Sequence, residues 1–151
     1  MGVKPKATVT PYQIIDHTAD TGVHAQGYSL STLFNNTAMG MLSIITSEFG
    51  QNKLRRQYEI RLVHTDIEEL LVAFLKEILY QVECEGMLAQ DMVVFIKSTQ
   101  KGYELAALVY AIGVSKEGIE LSKEIKAVTY CNLQVWKDEN DIWNTKVIFD
   151  V

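Results

Sequence analysis

Asp16-His17-Thr18-Ala19-Asp20 places two carboxylates, an imidazole and a hydroxyl in five consecutive residues, and the sequence closes on Phe149-Asp150-Val151. Alone, the first segment reads better as a turn in which Asp16 or Asp20 caps backbone N–H groups. The closing segment alters that reading. Asp150 carries a side-chain carboxylate and Val151, one residue on, the α-carboxylate. If this end reaches the Asp16–Asp20 turn, three or more oxygen anions converge. Such a cluster repels itself unless a cation, a proton or a basic partner is present. Hard divalent ions such as Ca²⁺ or Mg²⁺ are the natural match for oxygen ligands.

Other candidate chemistry is weaker. The sequence has no Gly-x-Ser-x-Gly elbow and no phosphate-cradling glycine loop of the Walker or dinucleotide type. His24 lies in an alternating segment and reads as a packed or edge residue, and His64 precedes a helix start, where a local structural role fits. The acidic turn at 138–141 lacks the glycine and terminal glutamate of an EF-hand loop and reads as a solvated hairpin tip. Trp136 and Trp143 flank it and suggest a cross-strand aromatic pair. Lys123, Lys126 and Lys137 are spread too thinly for a nucleic-acid groove.

The elements that must position these residues follow from periodicity. Residues 12–16, 23–28 and 58–64 alternate as half-buried strands do. Leu30, Leu33, Phe34, Ala38, Met41, Leu42 and Ile45 recur at three and four, predicting a helix over 30–46 with Ser29 as N-cap. The same spacing assigns the neighbouring Met39 and Met41 to core packing rather than to a flexible binding surface. A second helix is predicted over 66–83, opened by a capping box at 65–68 and stopped by Gly86. Strands are expected over 92–97, 103–110, 125–131 and 143–149. Residues 1–10 read as a weakly ordered lead-in to one domain over 11–151. The fold class expected is α+β, with two main helices packed on a largely antiparallel or mixed sheet.

Bulk properties agree. The chain has 151 residues, 48% of them hydrophobic and 22% charged, enough for a sizeable core. A net charge of −5 opposes unspecific binding to nucleic acid, so work near RNA would run through a protein partner. Cys84 and Cys131 fit neither a zinc spacing nor a disulfide framework and read as buried structural thiols. With no apolar leader and no bilayer-length apolar run, a cytoplasmic location is expected.

The stretches DHTADTG, LSTLFNNTAMGML, DIEELLVAFLKEILYQVECEGML, EIKAVTY and VIFDV, in that order, resemble the archease family from about Tyr12 to Val151. The resemblance implies a small α+β protein that is not an enzyme. It implies a protein cofactor of the RtcB-type, GTP-dependent RNA ligase of tRNA splicing and RNA repair, promoting guanylylation of the ligase and its multiple turnover. It also implies one divalent metal, in the first place Ca²⁺ with Mg²⁺ or Mn²⁺ as alternatives, on Asp20, Asp150 and Val151. Asp16, His17 and Thr18 would then orient the turn behind those ligands. The sequence departs from the family pattern at Cys131, where histidine often follows KAVTY, at Val114, where Gly-Glu is common, and in a shortened stretch at 115–121.

Two other functional classes compete. A stand-alone metal-dependent phosphoesterase would activate a metal-bound water, but no second group of acids or histidines is evident to hold another metal or act as base. A chaperone of an RNA-modifying methyltransferase needs no catalytic residue at all.

Overall fold

The computed structural model describes residues 7–16, 20–47 and 55–151, so His17 and Thr18 of the expected site lie outside the described residues. The chain order is β1 (Tyr12–Asp16), β2 (Asp20–Gly27), α1 (Leu30–Ile45), β3 (Arg56–His64), α2 (Ile67–Glu83), β4 (Met87–Thr99), β5 (Gly102–Gly113), α3 (Val114–Glu117), β6 (Ala127–Val128), β7 (Gln134–Lys137) and β8 (Trp143–Asp150). The α+β class and both main helices are as the periodicity predicts. The strands, however, divide between two antiparallel sheets rather than forming one. Sheet A runs β1-β2-β8-β6, with β7 also paired to β8; sheet B runs β3-β5-β4.

Helix α1 packs on β1, β2 and β8 of sheet A and on β4 of sheet B, while α2 packs on all of sheet B and on β6 and β7 of sheet A. The two helices therefore form a middle layer, which explains why α1 buries so much of its circumference, from Leu33 and Phe34 to Ile44 and Ile45. Met41 is fully buried and Met39 packs against the core, as their spacing predicts. Phe34 of α1 meets Phe74 of α2 with ring centroids 5.9 Å apart. At Gly40 a Cβ would come within 2.8 Å of Val23 Cγ1, so the absent side chain is what lets α1 lie this close to sheet A.

Both helix starts are capped. Ser29 Oγ accepts from Thr32 N at 3.1 Å. For α2 the cap is Asp66, one residue later than the expected box; its Oδ1 accepts from Glu68 N at 2.9 Å and Glu69 N at 3.2 Å. Glu68 accepts from Val135 N at 3.1 Å, tying α2 to β7. Helix α1 also covers the outer edge of β4: Ser31 Oγ accepts from Ile96 N at 3.1 Å, and Asn35 Nδ2 donates to Met92 O at 3.5 Å. Unpaired strand edges invite other chains, and this one is partly occupied.

Two further expectations change. Of residues 125–131 only Ala127–Val128 form a strand, because the chain turns away at Cys131 and Asn132, the latter with φ 52°. Cys84 and Cys131 are both free and exposed rather than buried, the first where α2 leaves the core and the second in that turn. Ahead of β1, Tyr28 Oη donates to Ala7 O at 2.8 Å and Thr10 N donates to Gln26 Oε1 at 3.0 Å. Residues 1–6 lie outside the described residues. No helix among the described residues is long and apolar enough to cross a membrane.

Leu71 and Phe74 are fully buried on the face of α2 that the spacing marks as core. Leu71→Ala and Phe74→Ala should each destabilise by about 2–5 kcal/mol in chemical denaturation. Losses well below 1 kcal/mol at both positions would be incompatible with this packing.

Candidate metal centre

The acids that open and close the sequence meet on sheet A. Strands β2 and β8 pair antiparallel with Asp20 directly opposite Asp150, and the register continues through Val23 with Val147 to Gly27 with Trp143. Directly opposed residues hold their Cβ atoms about 4.5–5.5 Å apart on one face. Thr21, Val23 and Ala25 of β2 and Thr145, Val147 and Phe149 of β8 are buried toward the helices. Alternation therefore sends Asp20 and Asp150 to the outer face, where both are exposed. The end of β8 is fixed from its other side, since Lys126 N donates to Asp150 O at 2.7 Å and Thr129 donates through N and Oγ1 to Ile148 O at 3.0 and 2.9 Å. Val151 follows, half-buried against the core.

The donor set suits a hard cation: two carboxylates held side by side, with no ion-pair partner for either among the described residues. Among the described residues no group of three His, Cys, Asp or Glu side chains is placed to hold a metal. Asp16 pairs with Thr21, which puts it in phase with the inner face, opposite to that of Asp20. His17 and Thr18 are outside the described residues.

Neither described histidine stands free as a ligand or base. His24 Nε2 lies 3.0 Å from Asn144 Oδ1, and its ring stacks on Trp136 with centroids 6.0 Å apart. His64 Nδ1 is 3.8 Å from Glu69 Oε2 at the start of α2. Trp136 and Trp143 do not pair with each other: Trp136 is opposite Asn144 and Trp143 opposite Lys137, so the two indoles point to opposite faces. Lys137 Nζ instead sits 5.6 Å from the Trp143 ring centroid.

A polar network given no role in the sequence analysis lies further along this outer face, beyond Gly22 and Ile148. Gln26 Nε2 donates to Asn144 Oδ1 at 3.0 Å, and Asn144 Nδ2 donates to Asp138 Oδ2 at 2.9 Å. Polar residues at 24 and 26 facing polar residues at 144 and 146 were the available signal. Asp138 Oδ1 also accepts from Asn140 N at 2.8 Å and Ile142 N at 3.1 Å, organising the hairpin tip. Burial opposes ionisation of Asp138, but hydrogen bonds from Asn144, Ile142 and Asn140 outweigh it and hold its carboxyl below the usual range.

Relatives place the chain in context. The family model described as Archease protein family (MTH1598/TM1083) matches residues 12–151. "Protein archease" of Pyrococcus abyssi is 32% identical over 138 residues, covering 90% of this chain and 95% of the relative. "Protein archease-like" of Drosophila melanogaster is 30% identical over 146 residues, covering 93% and 90%. The solution structure of Methanobacterium thermoautotrophicum protein 1598 superposes with a TM-score of 0.73 at 30% identity, over 93% of this chain and 99% of that one. A Thermotoga maritima crystal structure, described as an archease and possible chaperone, shares the fold at a TM-score of 0.56 and 23% identity, over 91% and 94%.

Two outcomes test this geometry. Like charges directly opposed across strands destabilise a sheet, so without divalent ions Asp150→Asn should raise stability by about 0.2–1 kcal/mol in denaturant titrations. A loss of stability there would place the carboxylates apart. For Asp138, whose folded pKa lies below its unfolded value, the stabilising contribution is present above the unfolded pKa of about 3.9 and fades as pH falls through the folded one. Amide exchange at Asn140 and Ile142 should accelerate over that acid range, and Asp138→Asn should flatten the dependence.

Proposed function

Because the chain belongs to the archease family, we propose that it is a metal-binding protein cofactor, not an enzyme, that activates a GTP-dependent RNA ligase of the RtcB type. In this reading it promotes guanylylation of the ligase and its repeated turnover in tRNA splicing or RNA repair. The observation that carries the reading is the in-register pairing of Asp20 with Asp150, which joins the two most distant family motifs on one exposed face. Asp20, Asp150 and the carboxyl oxygens of Val151 would hold one divalent ion, in the first place Ca²⁺, with Mg²⁺ or Mn²⁺ as alternatives. Asp16, His17 and Thr18 would orient the turn from which Asp20 projects. A bound cation supplies fixed positive charge with open coordination positions, since three protein ligands leave several of about six to eight unfilled.

The remaining residues explain why such a face would serve a partner instead of running its own reaction. His24 is engaged by Asn144 and Trp136, and His64 lies beside Glu69, so neither is offered to a substrate at the acidic pair. The net charge of −5 favours recognition of a ligase surface over direct, specific RNA binding. Two exposed, unbridged thiols suit a reducing compartment such as the cytoplasm.

Asp20→Asn and Asp150→Asn should each weaken Ca²⁺ binding by at least about tenfold in calorimetry, with circular dichroism unchanged. Each should also abolish stimulation of multiple-turnover ligation when added in substoichiometric amounts to a purified RtcB-type ligase. Wild-type levels of both in either variant would remove the pair from the site. Nucleotide hydrolysis or RNA joining by this chain alone, lost in Asp20→Asn, would make it an enzyme.

A further inference from the structure

Sheet B presents an uncovered face. Its inner residues pack on α2, whereas the outer side chains stand in four rows across β3, β5 and β4: Gln57–Tyr110–Asp91, Glu59–Leu108–Val93, Arg61–Ala106–Phe95 and Val63–Glu104–Lys97. A bulge between Ala89 and Asp91 sets the phase that turns Asp91, Val93, Phe95 and Lys97 outward. Phe95 is 68% exposed, Val63 67% and Val93 45%. Between Phe95, Ala106, Leu108 and Arg61 lies a depression of about 210 Å³. An aromatic ring this exposed in a contiguous apolar patch marks an interaction surface more often than it marks chance.

The charges on this face identify the occupant. We propose that it is the interface of a reversible homodimer, in which a second copy of this chain packs face to face. Consider a two-fold axis lying in the interface, perpendicular to the strands and midway between the Glu59 row and the Arg61 row. Glu59 then faces Arg61 of the second copy, and Asp91 faces its Lys97. The same operation sets Phe95 over Val93 of the second copy and Leu108 into the hollow above its Ala106. Every contact is repeated by symmetry, as an isologous interface requires. A register one row away would place Glu59 against Glu59 or Arg61 against Arg61, so the charges select this arrangement. The four paired charges cancel and Glu104 leaves each face at −1, a small share of the chain's net −5, so two copies meet here on a nearly neutral surface.

Size sets the strength. Seven residues on each of three strands span on the order of 300–400 Å² per copy, below the roughly 800 Å² per partner of a standard stable interface. The dimer is therefore weak and concentration-dependent. Edge-on growth past β4 is hindered because α1 engages that edge through Ser31 and Asn35. Sheets A and B lie on opposite sides of the helical layer, so the dimer leaves Asp20 and Asp150 of both copies accessible.

Sedimentation velocity from micromolar to millimolar protein tests this. The wild-type chain should pass from monomer to dimer, and Phe95→Asp should raise the dissociation constant more than about tenfold without moving the thermal midpoint. Glu59→Arg should weaken the dimer, and the exchange Glu59→Arg with Arg61→Glu should restore it. A chain that stays monomeric at millimolar concentration overturns the proposal. So does a dimer indifferent to Phe95→Asp, or one for which the exchange is no tighter than Glu59→Arg alone. Use of Phe95 solely to bind a different protein, with this chain monomeric throughout, also overturns it.

Discussion

The β2–β8 ladder is the constraint on which both core and candidate site depend. It joins residues 20–27 to residues 143–150, and its register is enforced from inside by Val23, Ala25, Val147 and Phe149, all fully buried. A slip of one residue would turn those side chains to the outer face and bring polar groups against α1. The same slip would separate Asp20 from Asp150. The geometry of the acidic pair is thus paid for by hydrophobic burial on the opposite face, and the pair's own repulsion is absorbed by a strand that has no other acceptable register.

The helical middle layer does comparable work between sheets. Neither sheet packs on the other directly to any extent; α1 and α2 fill the space and are linked by the Phe34–Phe74 contact. The hydrogen bond from Val135 N to Glu68 fastens the second helix to β7. Burial also shapes the middle-layer edge at Tyr58, whose hydroxyl pKa is pushed up by desolvation and by the nearby Glu77 carboxylate.

Much of this architecture was legible in the sequence, for identifiable reasons. Helices α1 and α2 announce themselves because their apolar residues recur at helical spacing over four turns or more. The carboxylates at both ends of the sequence were conspicuous because acids are costly to place together without a counter-charge. What sequence could not supply was partnership. Alternation says which side chains of a strand face inward but not which strand lies beside it, so the division into two sheets was invisible. The cap falls one residue beyond the expected box because Thr65 and Asp66 are both good caps, and the sequence does not distinguish them. Apolar neighbours predict buried cysteines, yet Cys84 lies where the helix leaves the core and Cys131 in a turn with a positive φ at the next residue. The resemblance to known sequences bridged what periodicity could not, since it linked the Asp20 turn to Asp150 across the length of the chain.

The contacts from α1 to the rim of β4 have a consequence for how the molecule is made. On the ribosome residues 30–45 emerge well before residues 87–99, so the helix bearing Ser31 and Asn35 is available when β4 first appears. The long β4–β5 hairpin, with Val93 and Phe95 bare on its surface, is the segment of this chain best suited to template aggregation. It is synthesised only after the element that shields its rim.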